Sequence, residues 1–161
     1  TVPRATHFSP CPEKRMVCNV LVIEDSDADY ESTMRAARER GITAHFMRCR
    51  DGDEALEFLF GKIKDRSNQD LIPNVIVVDL NLPGTGGDEV LQAVKADAEL
   101  QNIPVTVFTS SANIDDVRRC YRHGANCYIV KPETVPTFKD TVNSMLRFWL
   151  DVSTLPRPVA P

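Results

Sequence analysis

A chain of 161 residues with 42% hydrophobic and 26% charged side chains has the size of one globular domain that buries a core without disulfide or metal staples. Its net charge of -4 provides no basic surface for phosphate backbones, so protein rather than nucleic acid is the expected partner. No apolar run approaches the roughly 20 residues that span a bilayer, and the opening segment "TVPRATHFSPCPEKR" lacks an apolar signal core, so a cytoplasmic protein with no membrane segment is expected.

Residues 1–15 hold three prolines and read as an irregular N-terminal extension. Residues 18–23 then form a short β-branched run bounded by charge, the pattern of a strand buried on both faces. The segment "SDADYESTMRAARERG" predicts a helix with a Ser26 cap, acids in its first turn, bases in its last and Gly41 as its stop. "TAHFMRC" follows as a second strand and "DGDEALEFLFG" as a short helix closed by Gly61, with residues 62–73 as a polar loop. "NVIVVD" is the third strand, and residues 86–97 carry Val90, Leu91 and Val94 at helical spacing. "PVTVFT" is the fourth strand, "NIDDVRRCYRHG" a helix capped by Asn113 and stopped by Gly124, and "NCYIV" the fifth strand. A last helix is expected over residues 135–152, giving a folded domain over 16–152 and a proline-bearing tail over 153–161.

Strand and helix in strict alternation argue an α/β, doubly wound parallel sheet, since parallel strands need right-handed crossovers. Ligands in such sheets sit at the carboxyl ends of the strands. Those ends carry Glu24 and Asp25, then Asp79, then Thr109, then Lys131 followed by Pro132. Each alone would be a helix cap or a surface charge. Three carboxylates gathered at one edge repel unless a cation sits among them, and oxygen-only ligands favour Mg²⁺. Lys131 and the Thr109 hydroxyl are suited to an incoming phosphoryl group.

The five cysteines, Cys11, Cys18, Cys49, Cys120 and Cys127, form no C-x-x-C pair and their odd number fits no disulfide framework, so free thiols are expected. His7, His45 and His123 lie too far apart in sequence to suggest a zinc site.

These motifs, with "DGDEAL" after the second strand and "DLNLPGTGG" on the pattern D-x-x-L/M-P-x-x-x-G, resemble the receiver domain of two-component response regulators over about residues 17–150. The resemblance implies a flavodoxin-like receiver fold with a five-stranded sheet in the order 2-1-3-4-5. It also implies Asp79 as phosphoacceptor, Lys131 as the phosphoryl-contacting lysine, and Thr109 and Tyr128 as the hydroxyl and aromatic switch residues. The metal ligands for Mg²⁺ would be Asp25, Asp79 and the backbone carbonyl of Asn81, with Glu24, at a position where aspartate is also common, reaching the ion through water. Asp79 would accept phosphate from a sensor histidine kinase and signal through the face made by the fourth helix, fifth strand and fifth helix. It would be a signalling protein, not an enzyme on a separate substrate, promoting its own phosphotransfer and autodephosphorylation.

After Val152 only a short tail remains in this chain, so output is expected from the receiver itself. Phe138, Val142, Met145 and Trp149 form a helical stripe for the core. Leu146, Phe148 and Leu150, with Trp149 beside them, are the candidate interface of a homodimer, and Val152 and Leu155 extend that surplus of apolar residues. The sequences "NIDDV", "NCY" and "FWL" with a later "TLP" resemble a subgroup of single-domain regulators that partner phytochrome histidine kinases. Two other readings stay open: a degenerate receiver acting only as an interaction module, and a magnesium-dependent aspartyl-phosphate phosphatase. The latter class needs a second acid two residues beyond the nucleophile, where this chain has Asn81. A flavodoxin-type cofactor binder is disfavoured, because no phosphate-binding loop follows the first strand.

Overall fold

The computed structural model describes residues 17–156, and the elements alternate as β1 (Asn19–Ile23), α1 (Asp27–Glu39), β2 (His45–Cys49), α2 (Gly52–Leu56), β3 (Val75–Val78), α3 (Gly87–Ala96), β4 (Val105–Thr109), α4 (Ile114–Arg122), β5 (Cys127–Val130) and α5 (Val135–Arg147). All five strands pair in parallel in the order β2-β1-β3-β4-β5. This is the doubly wound, flavodoxin-like receiver fold that the alternation and the motifs predict. Residues 1–15, with His7 and Cys11, and the end of the tail beyond residue 156 lie outside the described residues. Cys18, Cys49, Cys120 and Cys127 are free thiols.

The sheet divides the core by the two-residue period of its strands. Leu21, Ile23, Ile76, Val78, Val105 and Val107 face α2, α3 and α4, where Ala55, Leu59, Val90, Leu91, Val94 and Cys120 cover them. Val20, Val22, Val75, Val77 and Phe108 point the other way, onto Met34, Ala36 and Ala37 of α1 and Phe138, Val142 and Met145 of α5. Strands β3 and β4 are buried along their whole length, which is why β3 is apolar throughout and β4 carries only the hydroxyls of Thr106 and Thr109 among its apolar side chains.

Local chemistry fixes the helix ends. Ser26 Oγ accepts from Asp29 N, and Asn113 Oδ1 accepts from Asp115 N. Gly41 and Gly124, the expected stops, have φ of 67° and 93°, a region that side chains disfavour. Gly61, by contrast, ends nothing. The helix widens into a π-helical turn over Glu57–Lys62, because Ile63 lies one turn beyond Leu59 and both are buried in the same cluster. The connection expected as a loop over 62–73 contains a 3₁₀ segment, Arg66–Leu71, opened by Asp65 accepting from Ser67 N at 3.0 Å.

One expectation about the last helix needs correction. Leu146 and Trp149, taken as candidate interface residues, are core residues with relative exposures of 1% and 8%. Trp149 continues the helical stripe, and its indole Nε1 donates to the buried Thr106 hydroxyl at 2.8 Å, which satisfies both polar groups. Leu146 packs on the same face as Val142 and Met145. Phe148 and Val152 do stay exposed, on the π-helical extension Phe148–Val152, while Leu150 and Leu155 are partly buried against the core.

Gly87 marks a very tight approach at the end of β3. A Cβ there would lie 1.9 Å from the carbonyl oxygen of Asp79, so α3 begins pressed against the end of β3. Gly87→Ala is expected to destabilise the fold by about 3 kcal/mol in urea titration, as overpacking against backbone does. At Gly61 the nearest atom to an added Cβ is 4.0 Å away, so Gly61→Ala should be neutral or slightly stabilising in the same assay.

Candidate functional site

The carboxyl ends of β1, β3 and β4 converge where the strand order reverses, between β1 and β3. Backbone bonds hold this edge: Asp79 N donates to Ile23 O at 3.0 Å, Glu24 N to Cys49 O at 3.0 Å, and Lys131 N to Thr109 O at 2.7 Å. Glu24, Asp79 and Thr109 are buried, and Asp25 is exposed. Glu24, Asp25 and Asp79 each offer a carboxylate oxygen, and these oxygens lie within 4.8 Å of one another.

Lys131 spans the cluster from β5's side. Its Nζ donates to Glu24 Oε2, Asp29 Oδ2 and Asp79 Oδ2, each at 2.7 Å, and its side chain is 8% exposed. The Phe108 ring lies beneath, 5.8 Å from Nζ. Asp79 Oδ1 accepts from Asn81 N at 3.1 Å, and the nearby Thr109 hydroxyl also favours the charged Asp79 carboxylate. Burial would raise Asp79, but the bonds from Lys131, Thr109 and the Asn81 amide outweigh it and hold its carboxyl below the usual range. Glu24 goes the other way: burial pushes it up, and Lys131 offsets only part of that. Burial would likewise lower Lys131, yet its bonds to Asp29, Asp79 and Glu24 raise it, so the ammonium stays charged.

Thr109 and Tyr128 are joined through one loop residue. Ser111 N donates to Thr109 Oγ1 at 3.4 Å, and the Tyr128 hydroxyl donates to Ser111 O at 2.9 Å. Ser111 Oγ donates to Asp116, which pairs with Arg119, and Arg119 reaches Asp88 at the start of α3. Asn81 has an exposed side chain, its Nδ2 at 3.5 Å from Ser110 Oγ. Thus the structure gathers Glu24, Asp25, Asp79, Asn81, Thr109 and Lys131 at one edge, with Tyr128 one residue removed. The apolar residues Phe148 and Leu150 are no part of this site.

Two contributors escape motif reading. Asp29 looks in the sequence like an ordinary first-turn acid, favourable to the helix dipole. Its spacing one turn after Asp25 is the only hint that it reaches Lys131. Arg48 sits on β2 beside Val22, and its guanidinium donates to Glu24 O at 3.0 and 2.9 Å, to Asp25 O at 3.2 Å and to Asp27 Oδ1 at 2.5 Å. It stacks over the Tyr30 ring at 4.5 Å. Its polar character in an otherwise apolar strand is its one sequence signal.

The donor set suits a hard divalent cation: carboxylate oxygens only, one exposed and two buried, beside a fixed ammonium. Comparison with known proteins agrees. A family model for the response regulator receiver domain matches residues 20–143. Response regulator Rcp1 of Synechocystis sp. is 36% identical over 137 residues, which are 85% of this chain and 92% of that protein. Its Mn(2+)-bound structure superposes with a TM-score of 0.78 over 87% of this chain and 99% of the other. The probable methanogenesis regulatory protein FilR2 of Methanothrix harundinacea is 35% identical over 86% of this chain and 88% of its own. The phosphorylated cyanobacterial phytochrome response regulator RcpA is 34% identical, with a TM-score of 0.79 over 88% of this chain and 99% of that one. No helix among the described residues is long and apolar enough to cross a membrane.

Removing the ammonium leaves the buried acids uncompensated. In Lys131→Ala, Glu24, already raised by burial, loses the partner that offsets this and rises further above its ordinary range. A group raised in this way gives its stability below the unfolded pKa and loses it as pH climbs through the folded one. Urea denaturation of Lys131→Ala should therefore show about 2 kcal/mol less stability at pH 8 than at pH 5. Millimolar Mg²⁺ should recover much of that loss at pH 8, by binding the folded state.

Proposed function

The chain belongs to the response regulator receiver domain family, and we propose that it accepts a phosphoryl group from a histidine kinase on Asp79. The observation that supports this most directly is the convergence of Asp79, Lys131 and Thr109 within hydrogen-bonding reach, beside Glu24 and Asp25. Asp79 is ionised and held rigid at the end of a buried strand, so one carboxylate oxygen is ready to attack phosphorus. The new P–O bond forms as the P–N bond of the phosphohistidine breaks, and the imidazole nitrogen takes the electron pair. Lys131 and the Asn81 amide, which donate to the two oxygens of the Asp79 carboxylate, would serve the oxygens that gain charge.

Asp25, Asp79 and the carbonyl of Asn81 would hold Mg²⁺, with Glu24 acting through water. The ion would neutralise phosphoryl charge during transfer and during the later hydrolysis of the acyl phosphate. The receiver unit is assigned to residues 16–152, between an extension over 1–15 and a tail over 153–161.

Signalling follows from the link between Thr109 and Tyr128. A phosphoryl group brings about -1.5 to -2 of charge and strong acceptors. The Thr109 hydroxyl, already aimed at Asp79, would turn to it and draw on Ser111, whose carbonyl holds the Tyr128 hydroxyl. Tyr128 then turns inward and repacks the face of α4, β5 and α5. Ile114, Tyr121, Val130 and Val135 are exposed on these elements, which supports a homodimer or kinase contact there. Phe148 and Leu150 would extend it. The resemblance to RcpA supports a phytochrome-type kinase as donor, in the cytoplasm.

Incubation with a phosphorylated histidine kinase should label the wild type and leave Asp79→Asn unlabelled; retained labelling of that variant overturns the assignment. Thr109→Ala should keep labelling while losing most of the phosphorylation-dependent change in mass by light scattering.

A further inference from the structure

Arg48 lies on β2 opposite Val22, on the face of the sheet where Val22 and Phe46 join the core, and its side chain is only 12% exposed. A guanidinium withdrawn this far from water is costly unless its N–H groups find acceptors. Nε and Nη2 donate to the Glu24 carbonyl at 3.0 and 2.9 Å, Nη2 also to the Asp25 carbonyl at 3.2 Å, and Nη1 to Asp27 Oδ1 at 2.5 Å, while the Tyr30 ring packs 4.5 Å from its carbon. One side chain is thus bonded to the short segment between β1 and α1 that carries two of the three carboxylates of the acidic cluster. Arg50 pairs with the same Asp27 oxygen at 2.7 Å, but from an exposed side chain.

We infer that Arg48 is a positioning residue for the divalent cation: by gripping the Glu24 and Asp25 carbonyls it keeps both carboxylates beside Asp79. The inference rests on the reading of Glu24, Asp25 and Asp79 as the seat of that ion. The three carboxylates repel one another, and the backbone of residues 24–26, which belongs to neither strand nor helix, can relieve that repulsion by moving the first two away from the third. A planar fork bonded to two successive carbonyls resists the movement. Charge and position act in opposite senses here. As a cation near the site, Arg48 disfavours a second cation, so if charge were its whole effect its removal would tighten binding. Where position dominates, its removal weakens binding, and the sign of the change separates the two. Asp27 keeps Arg50 as its partner when Arg48 is lost, so no newly freed side-chain charge clouds that sign.

The test titrates the full chain with Mg²⁺ by isothermal calorimetry, under conditions where urea titration shows each variant folded. Arg48→Gln is expected to raise the dissociation constant about tenfold, as loss of the groups that orient metal ligands does. Arg50→Gln removes an equal charge that also bonds Asp27, and should leave the affinity unchanged or slightly tighter. Arg48→Lys keeps the charge and the stem over Tyr30 but not the fork, so it too should weaken binding, and it serves alone if Arg48→Gln fails to fold. Before Mg²⁺ is added, hydrogen exchange at the Ser26 amide should quicken in the Arg48 variants and not in Arg50→Gln. Tighter binding or a loss of less than about threefold in a folded Arg48 variant, an equal loss in Arg50→Gln, or unchanged Ser26 exchange overturns the inference. A wild type that binds neither Mg²⁺ nor Mn²⁺ overturns the reading of the metal site first, and this inference with it.

Discussion

Everything at the strand ends depends on one ammonium shared by three carboxylates. Glu24, Asp29 and Asp79 come from the loop after β1, the first turn of α1 and the end of β3, and Lys131 draws them to a common point. Two of the three acids are buried, as is the lysine side chain. Transferring such charges out of water is expensive, and only close pairing makes it tolerable. Net charge at the cluster nevertheless stays negative, since Asp25 adds a fourth carboxylate. That surplus is what makes the site a natural seat for a divalent cation and sets the resting state under electrostatic tension.

The fold supplies the rigidity that this arrangement requires. Parallel strands buried on both faces cannot shift by a residue without turning their apolar side chains out of one core into the other. Asp79 is therefore fixed in register by Val75–Val78, and its own amide is tied back to Ile23 on the neighbouring strand. The start of α3 presses on the Asp79 carbonyl from the far side, where only a glycine fits. Arg48 performs the matching task for β1, gripping the carbonyls of Glu24 and Asp25 so that the acidic loop keeps its shape despite internal repulsion.

Most of this was legible in the amino-acid order because the relevant signals are local. Buried strands announce themselves as short apolar runs, and each ends on the polar residue that matters. Helix starts at Ser26 and Asn113 were readable from capping chemistry. What escaped is what depends on three-dimensional neighbours. Gly61 reads as a stop, but burial of Ile63, one turn beyond the buried Leu59, carries the helix through it. Leu146 reads as surplus to the core stripe, yet α5 is wide enough in its apolar face to bury it with Trp149. Asp29 and Arg48 are ordinary charges until tertiary structure brings each to the acidic loop.

The division of exposure within the cluster connects statics to switching. A site whose charges were all buried would be locked, because every released group would need a new partner at once. One whose charges were all exposed would be screened and would hold nothing in place. Here Asp79 and Thr109 are sealed, while Asp25 is exposed and Asp29 partly so, within reach of water and ions. On the sealed side, hydrogen bonds link Thr109 through Ser111 to Tyr128 and, by Asp116 and Arg119, to α3. On the proposed function, chemistry would enter from the wet side of the cluster and its consequence would leave through the dry one.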